Sequence, residues 1–159
     1  MKKTYKKILV LHNIRSVQNV GAMFRTANGV GVDQIILSGY TPTPLDRFGR
    51  PRSDFAKTAL GAEHTIPWVY YKTISSVFKK LRADGYTIVA VELSELSIDY
   101  KTYIPQSDTA LLMGNEVKGI SKQILQKCDV VIELPMNGSK ESLNVSVTAG
   151  IVMYRLFDR

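Results

Sequence analysis

The sequence predicts an α/β fold, a mainly parallel β-sheet with helices on both faces. Three observations predict it. Short apolar runs such as Ile8-Leu9-Val10-Leu11 and Gln34-Ile35-Ile36-Leu37 suit strands buried on both sides. Segments of helical composition separate such runs, so strands and helices alternate. The first strand–helix–strand unit also closes within about thirty residues, the length of a parallel crossover.

The elements follow in order. A strand over 8–11 leads to a helix over 19–30, with Asn19 as its expected N-cap. Ala22, Met23, Ala27 and Val30 share an apolar side of that helix, and Gly29 and Gly31 end it. A strand covers 34–37. Between 40 and 52 the character changes: Pro42, Pro44 and Pro51 break regular structure, while Arg47, Arg50 and Arg52 stand near Phe48. This is either a solvated surface loop or a mobile loop that contacts RNA, with arginine on phosphate and an aromatic on a base. Helices follow over 53–60, with Ser53 as N-cap, and over 74–83, stopped near Gly85. Strands cover 87–91 and 109–113, Ser121 caps a short helix over 121–126, and Pro135 closes a strand over 130–134. The last helix, 143–157, carries Leu143, Val147, Ile151 and Tyr154 near one stripe.

Composition bounds the function. A chain of 159 residues suits one domain, 1–159, with 45% hydrophobic residues and no apolar run of membrane-spanning length. Lys2, Lys3, Lys6 and Lys7 precede only four apolar residues, too few for a signal peptide, so a cytoplasmic location is expected. Cys128 is the only cysteine, which excludes an intrachain disulfide and a cysteine-based zinc site; its apolar neighbours point to a buried thiol. His12 and His64 lack ligand spacing, so no metal is expected. The net charge of +7 favours a polyanionic partner.

Common nucleotide and hydrolase motifs fail. Gly29-Val30-Gly31 follows a helix and lacks a third glycine, and Gly114 to Gly119 is followed by Ile120-Ser121 in place of Lys-Ser or Lys-Thr. No Gly-x-Ser-x-Gly elbow is present. Three polar segments remain, each at the end of a predicted strand, where open α/β sheets bind ligands. The first holds Asn13-Ile14-Arg15-Ser16, Asn19, Gly21 and Arg25, with Arg25 almost two helical turns after Asn19 and expected on a similar side. A surface ion pair is the plain alternative for Arg25. The second is Met113-Gly114-Asn115-Glu116, where glycine lets a ligand approach the backbone. The third runs from Leu134-Pro135-Met136-Asn137-Gly138 to Ser142-Leu143-Asn144-Val145-Ser146, dense in hydroxyl and amide groups.

Together these segments resemble the SpoU (TrmH) branch of the SPOUT RNA ribose methyltransferases. The first is similar to its motif 1 (Asn19, Gly21, Arg25) and the second to motif 2 (Gly114, Glu116, Gly119). The third is similar to motif 3 (Pro135, Met136, Gly138 and Ser142 to Ser146). The resemblance spans nearly the whole chain. It implies a C-terminal deep trefoil knot, which composition would not suggest. It implies an S-adenosylmethionine pocket built by Val91, Glu92, Gly114, Leu134, Met136, Ser142 and Leu143, with Leu134, Met136 and Leu143 as apolar walls. The implied reaction is methylation of a ribose 2′-hydroxyl in RNA, tRNA slightly favoured over rRNA. Arg25 occupies the position assigned to activating that hydroxyl. A guanidinium ordinarily stays protonated, so Arg25 is expected to hold the target phosphate and hydroxyl, and to act as base only with assistance. Asn19, Glu116, Ser142 and Asn144 would orient it. Arg15, Arg25, Arg47, Arg50 and Arg52 are the expected RNA contacts. A homodimer, both subunits serving the RNA site, is also implied, with the last helix as its interface, where Ala149 and Gly150 would allow close approach; core packing within one chain explains the same residues equally well. With no added RNA-binding domain, capture would fall to the chain's own basic surface or to a partner protein. Two other classes stay open: a non-catalytic RNA-binding relative, which would not need all five polar residues, and a small-molecule nucleotide-cofactor enzyme, which lacks a phosphate fingerprint.

Overall fold

Every strand pairing in the computed structural model is parallel, and the model describes residues 4–158, so Lys2 and Lys3 lie outside the described residues. The elements are β1 (Lys7–His12), α1 (Val17–Val30), β2 (Gln34–Ser38), α2 (Ser53–Ala59), α3 (Ala62–Thr65), β3 (Trp68–Tyr71) and α4 (Ile74–Ala83). They continue with β4 (Thr87–Val91), β5 (Ile98–Asp99), β6 (Thr109–Met113), α5 (Lys122–Leu125), β7 (Val130–Glu133) and α6 (Val145–Phe157). The sheet order is β3-β2-β1-β6-β4-β7-β5.

Alternation along each strand feeds two cores. Leu9, Leu11, Leu111 and Met113 face one side, against Met23 and Phe24 of α1, Phe55 of α2, and Val152 and Met153 of α6. Ile8, Val10, Ala110 and Leu112 face the other, against Val77 and Leu81 of α4 and Leu125 of α5. Helices thus cover both faces, as expected. Phe24 and Phe55 meet edge to face, with ring centroids 5.1 Å apart, and fasten α2 to α1.

Several helix starts differ from expectation, each for a capping reason. Ser16, not Asn19, caps α1: its backbone is extended and its hydroxyl accepts the Asn19 N–H at 3.2 Å. This frees the Asn19 side chain. Arg52 occupies the N-cap of α2 without a side-chain bond, and Ser53 is its first helical residue. Asn144 caps α6, its Oδ1 accepting the Ser146 N–H at 2.9 Å and the Val147 N–H at 3.4 Å, so Leu143 lies outside the helix. The sequence reading missed α3 and the edge strands β3 and β5. Trp68-Val69-Tyr70-Tyr71 is only partly buried and forms no long apolar run.

The last helix buries Ala149, Val152, Met153, Leu156 and Phe157, whereas the predicted stripe faces outward: Val147 is 50%, Ile151 38% and Tyr154 48% exposed. Core packing within one chain therefore accounts for Ala149, which is fully buried and closed to a second copy, but not for that stripe. Cys128 is half-buried, and burial pushes its thiol up to about 11, which suits an inert thiol better than a nucleophile.

Gly21 of the first motif has a packing role. A Cβ there would collide with the Thr58 hydroxyl and lie 3.0 Å from the Phe55 carbonyl oxygen, so glycine sets the approach of α2 to α1. Gly21→Val should lower stability by about 1–3 kcal/mol, the usual cost of overpacking. A urea midpoint unchanged from wild type would remove this account.

Candidate functional site

The carboxyl ends of β4, β6 and β7 converge on a cleft of about 220 Å³. All seven residues expected to hold a cofactor line it: Val91, Glu92, Gly114, Leu134, Met136, Ser142 and Leu143. Its floor is the loop after β6. Gly114 must be glycine because a Cβ would strike Ile120 and sit 2.9 Å from the Gly119 carbonyl oxygen. Gly119 has a φ of +64°, and a Cβ there would meet the Glu92 carboxylate. That carboxylate accepts the Ile120 N–H at 2.9 Å and the Leu93 N–H at 3.0 Å, fixing the end of the loop.

Buried Asn115 fixes the same loop from within. Its Oδ1 accepts the N–H groups of Val117 (2.9 Å) and Lys118 (2.7 Å), and its Nδ2 donates to the Asn13 carbonyl and the Tyr40 hydroxyl, both at 2.9 Å. Sequence reasoning passed over Asn115. Its place between Gly114 and Glu116 was the available signal.

Glu116 joins the segments. Its Oε2 accepts the Arg15 N–H at 2.9 Å, and its Oε1 accepts the Ser16 N–H at 3.0 Å and the Asn19 amide at 3.1 Å. Asn19 Oδ1 in turn accepts the Asn144 amide at 3.2 Å. Burial pushes the Glu116 carboxyl up, but the N–H groups of Arg15 and Ser16 and the Asn19 amide outweigh it and leave it below the usual carboxylate range.

Arg25 stands apart. It is exposed and lines a different groove with Lys57, Thr58 and Tyr154. Its side chain makes no hydrogen bond or ion pair among the described residues, so the plain ion-pair alternative fails. The expected orientation of Arg25 by Asn19, Glu116, Ser142 and Asn144 does not form within one chain. Six helical residues fall about 120° short of two full turns, which rotates Arg25 away from Asn19. Ser142 lines the cleft, exposed and without a side-chain partner among the described residues.

The segment read as either a solvated surface loop or a mobile RNA-contacting loop is closed into a hairpin by hydrogen bonds. Leu45 bridges to Pro51, and Asp46 accepts the N–H groups of Phe48 (2.8 Å) and Arg50 (3.0 Å) and the Arg50 Nε at 2.9 Å. The Arg47 and Arg50 guanidiniums lie 4.7 and 5.0 Å from the centroid of the exposed Phe48 ring. Arg52 pairs with Asp54 at 2.8 Å. Of the three arginines, only Arg47 lacks a carboxylate partner among the described residues. No group of three or more His, Cys, Asp or Glu among the described residues could hold a metal ion, and no described helix is long and apolar enough to cross a membrane.

Residues 6–154 match the SpoU rRNA Methylase family. The chain is 33% identical over 146 residues to a 23S rRNA (guanosine-2′-O-)-methyltransferase of Neisseria meningitidis, which covers 92% of this chain and 56% of that protein. It is 33% identical over 150 residues to a putative TrmH family tRNA/rRNA methyltransferase of Staphylococcus saprophyticus, covering 94% and 57%. The structure superposes on an AdoMet-bound rRNA methyltransferase from Sinorhizobium meliloti with a TM-score of 0.87 and 27% identity, covering 96% of this chain and 56% of that one. The chain thus spans somewhat more than half the length of these relatives.

Glu116→Ala should destabilise the fold by about 1–3 kcal/mol at neutral pH, because three donors lose a charged acceptor. The sign with pH is fixed. A carboxyl held below its unfolded value stabilises fully above the unfolded pKa and stops doing so as pH falls through the folded one. The stability gap between wild type and variant should therefore shrink on acidification through the carboxylate range. A gap that widens in urea titrations from pH 7 to pH 3 would contradict the network.

Proposed function

The chain belongs to the SpoU rRNA Methylase family, and from that premise we propose that it transfers a methyl group from S-adenosylmethionine to a ribose 2′-hydroxyl of RNA. The observation that carries the reading is the Glu116–Asn19–Asn144 bridge, which joins all three motif segments beside one cleft. The cleft suits the cofactor. Leu134, Met136 and Leu143 supply apolar walls, and the backbone of 135–143 makes no backbone–backbone hydrogen bond among the described residues, leaving donors and acceptors for an adenine or a ribose. Glu92, Glu116, Glu133 and Glu141 also line it, a negative wall suited to a cationic ligand. The bound cofactor supplies an activated methyl group; the protein's part is alignment. The C-terminal trefoil knot is part of the reading: the loop after β6 and the segment after β7 line the same cleft, and the fold superposes on a methyltransferase of the proposed class.

Arg25 would hold the target phosphate and hydroxyl, with its planar array of donors. Its position supports a homodimer. The exposed stripe of α6 ends at Tyr154, which shares a groove with Arg25. A second copy packed on that stripe would bring Arg25 of one subunit toward the cleft of the other.

Two experiments test this. Tritiated S-adenosylmethionine and total RNA should yield labelled RNA whose label maps to ribose 2′-oxygens. Absence of label from every RNA fraction, with cofactor binding intact by calorimetry, would overturn the reading. Separately, Arg25→Ala and a cofactor-binding-deficient Leu134→Asp protein should each be nearly inactive. Unfolded and refolded together, they should regain about a quarter of wild-type activity, since half the dimers then carry one complete site across the interface. No regain would place Arg25 with its own subunit's cleft.

A further inference from the structure

On the methyltransferase reading, we propose that Arg15, Tyr40, Val117 and Lys118 form a stacking subsite for an unpaired RNA nucleotide next to the one whose ribose is methylated. These residues line a groove of about 430 Å³ beside the cofactor cleft, within the size range of ligand pockets. The two spaces share a wall, because Asn115, Val117 and Lys118 line both. An RNA strand whose ribose reaches the cleft would therefore lay a neighbouring nucleotide into this groove.

The groove's chemistry is that of a single-stranded nucleotide. Tyr40 is 57% exposed, yet it is held at both ends: its N–H donates to Asn13 Oδ1 at 3.2 Å, and its hydroxyl accepts from Asn115 Nδ2 at 2.9 Å. A large aromatic left in water but fixed in place is a prepared platform for a base, with much of the ordering cost met before binding. Val117 is 78% exposed, and its backbone is set by Asn115, so it adds an apolar contact at the rim. The side chains of Arg15 and Lys118 make no hydrogen bond or ion pair among the described residues. This contrasts with Arg50 and Arg52, whose charges are already matched by Asp46 and Asp54. Two free cations flanking an aromatic fit one base and its two phosphates.

The test uses a ten-nucleotide single-stranded RNA of mixed sequence carrying 2-aminopurine, whose emission falls when the base stacks. Wild-type protein should quench it, and Tyr40→Phe should bind within about threefold of wild type, because the ring remains. Tyr40→Leu should lose the quenching and about tenfold or more in affinity. Arg15→Gln and Lys118→Gln should each lower the slope of log affinity against log salt by about 0.7. Calorimetry with S-adenosylmethionine should give the same affinity for Tyr40→Leu as for Tyr40→Phe, since both lose the hydroxyl that Asn115 holds, which separates a lost stacking platform from a disturbed loop. Wild-type protein that leaves the emission unchanged, or Tyr40→Leu protein that binds as tightly as wild type, would overturn the subsite. Methyl transfer to total RNA by wild type, measured in parallel, reports on the methyltransferase reading by itself.

Discussion

The carboxylate of Glu116 is the joint on which the arrangement of the site depends. It gathers the N–H groups of Arg15 and Ser16 just before α1 and the amide of Asn19 within it. Asn19 then passes the connection to Asn144, the cap of α6. Two long helices therefore start from positions fixed relative to the loop after β6. The chemistry requires amides at both relay positions. Asn19 must donate to a carboxylate with one atom and accept with the other, and an aspartate there would set like charges against each other. Asn144 must accept the N–H groups of α6 while donating to Asn19. Glu116, Asn19 and Asn144 thus hold one another as much as they face any ligand.

The sheet makes that joint reachable. Because β6 lies between β1 and β4 and all run in parallel, the loops after these strands emerge side by side at one edge. The loop after β6 is consequently held from both flanks. It sends Glu116 toward the start of α1, and it receives Glu92 from β4 onto the Ile120 N–H. Asn115 ties its interior to Asn13 and Tyr40. Gly114 and Gly119 permit the close turn in between, one by steric need and one also by its positive φ. A loop so constrained can keep a cleft open with its backbone, where side chains alone would be less exact.

How much of this was legible in the sequence depended on whether the signal was local. Strands over 87–91 and 109–113 read directly, since strands buried on both faces are plain apolar runs. β3 did not, because an edge strand of half-exposed aromatics has no such pattern. The residues expected to hold a cofactor came from the family resemblance, and all seven line one cleft. Caps were misplaced by a few residues because serine and asparagine suit N-caps alike, and only the backbone angles decide. Asn115 and Tyr40 were missed because their bond spans 75 positions: the place of Asn115 between Gly114 and Glu116 marked it only as part of a motif segment, and nothing local marked Tyr40 as its partner. Arg25 was found, but its side of the helix was misjudged, since its spacing from Asn19 is not a whole number of turns.

The distribution of charge then poses the question that the site must answer. The chain carries a net charge of +7, yet four carboxylates line the cleft against Lys118 alone. Such a wall favours a sulfonium and opposes a phosphate. On the proposed function the chain binds both, and in one place the preferences would conflict. The structure separates them: the cleft keeps its carboxylates, two of them, Glu92 and Glu116, engaged with backbone N–H groups, while Arg15 and Lys118 stand along its rim and Arg25 stands on another face. On the proposed methyltransferase reading, the cations that RNA requires would approach the reacting centre from the rim and, in a dimer, from a second subunit. On that dimeric reading, Arg25 stands beside the exposed apolar stripe of α6, where a site shared between subunits would need it.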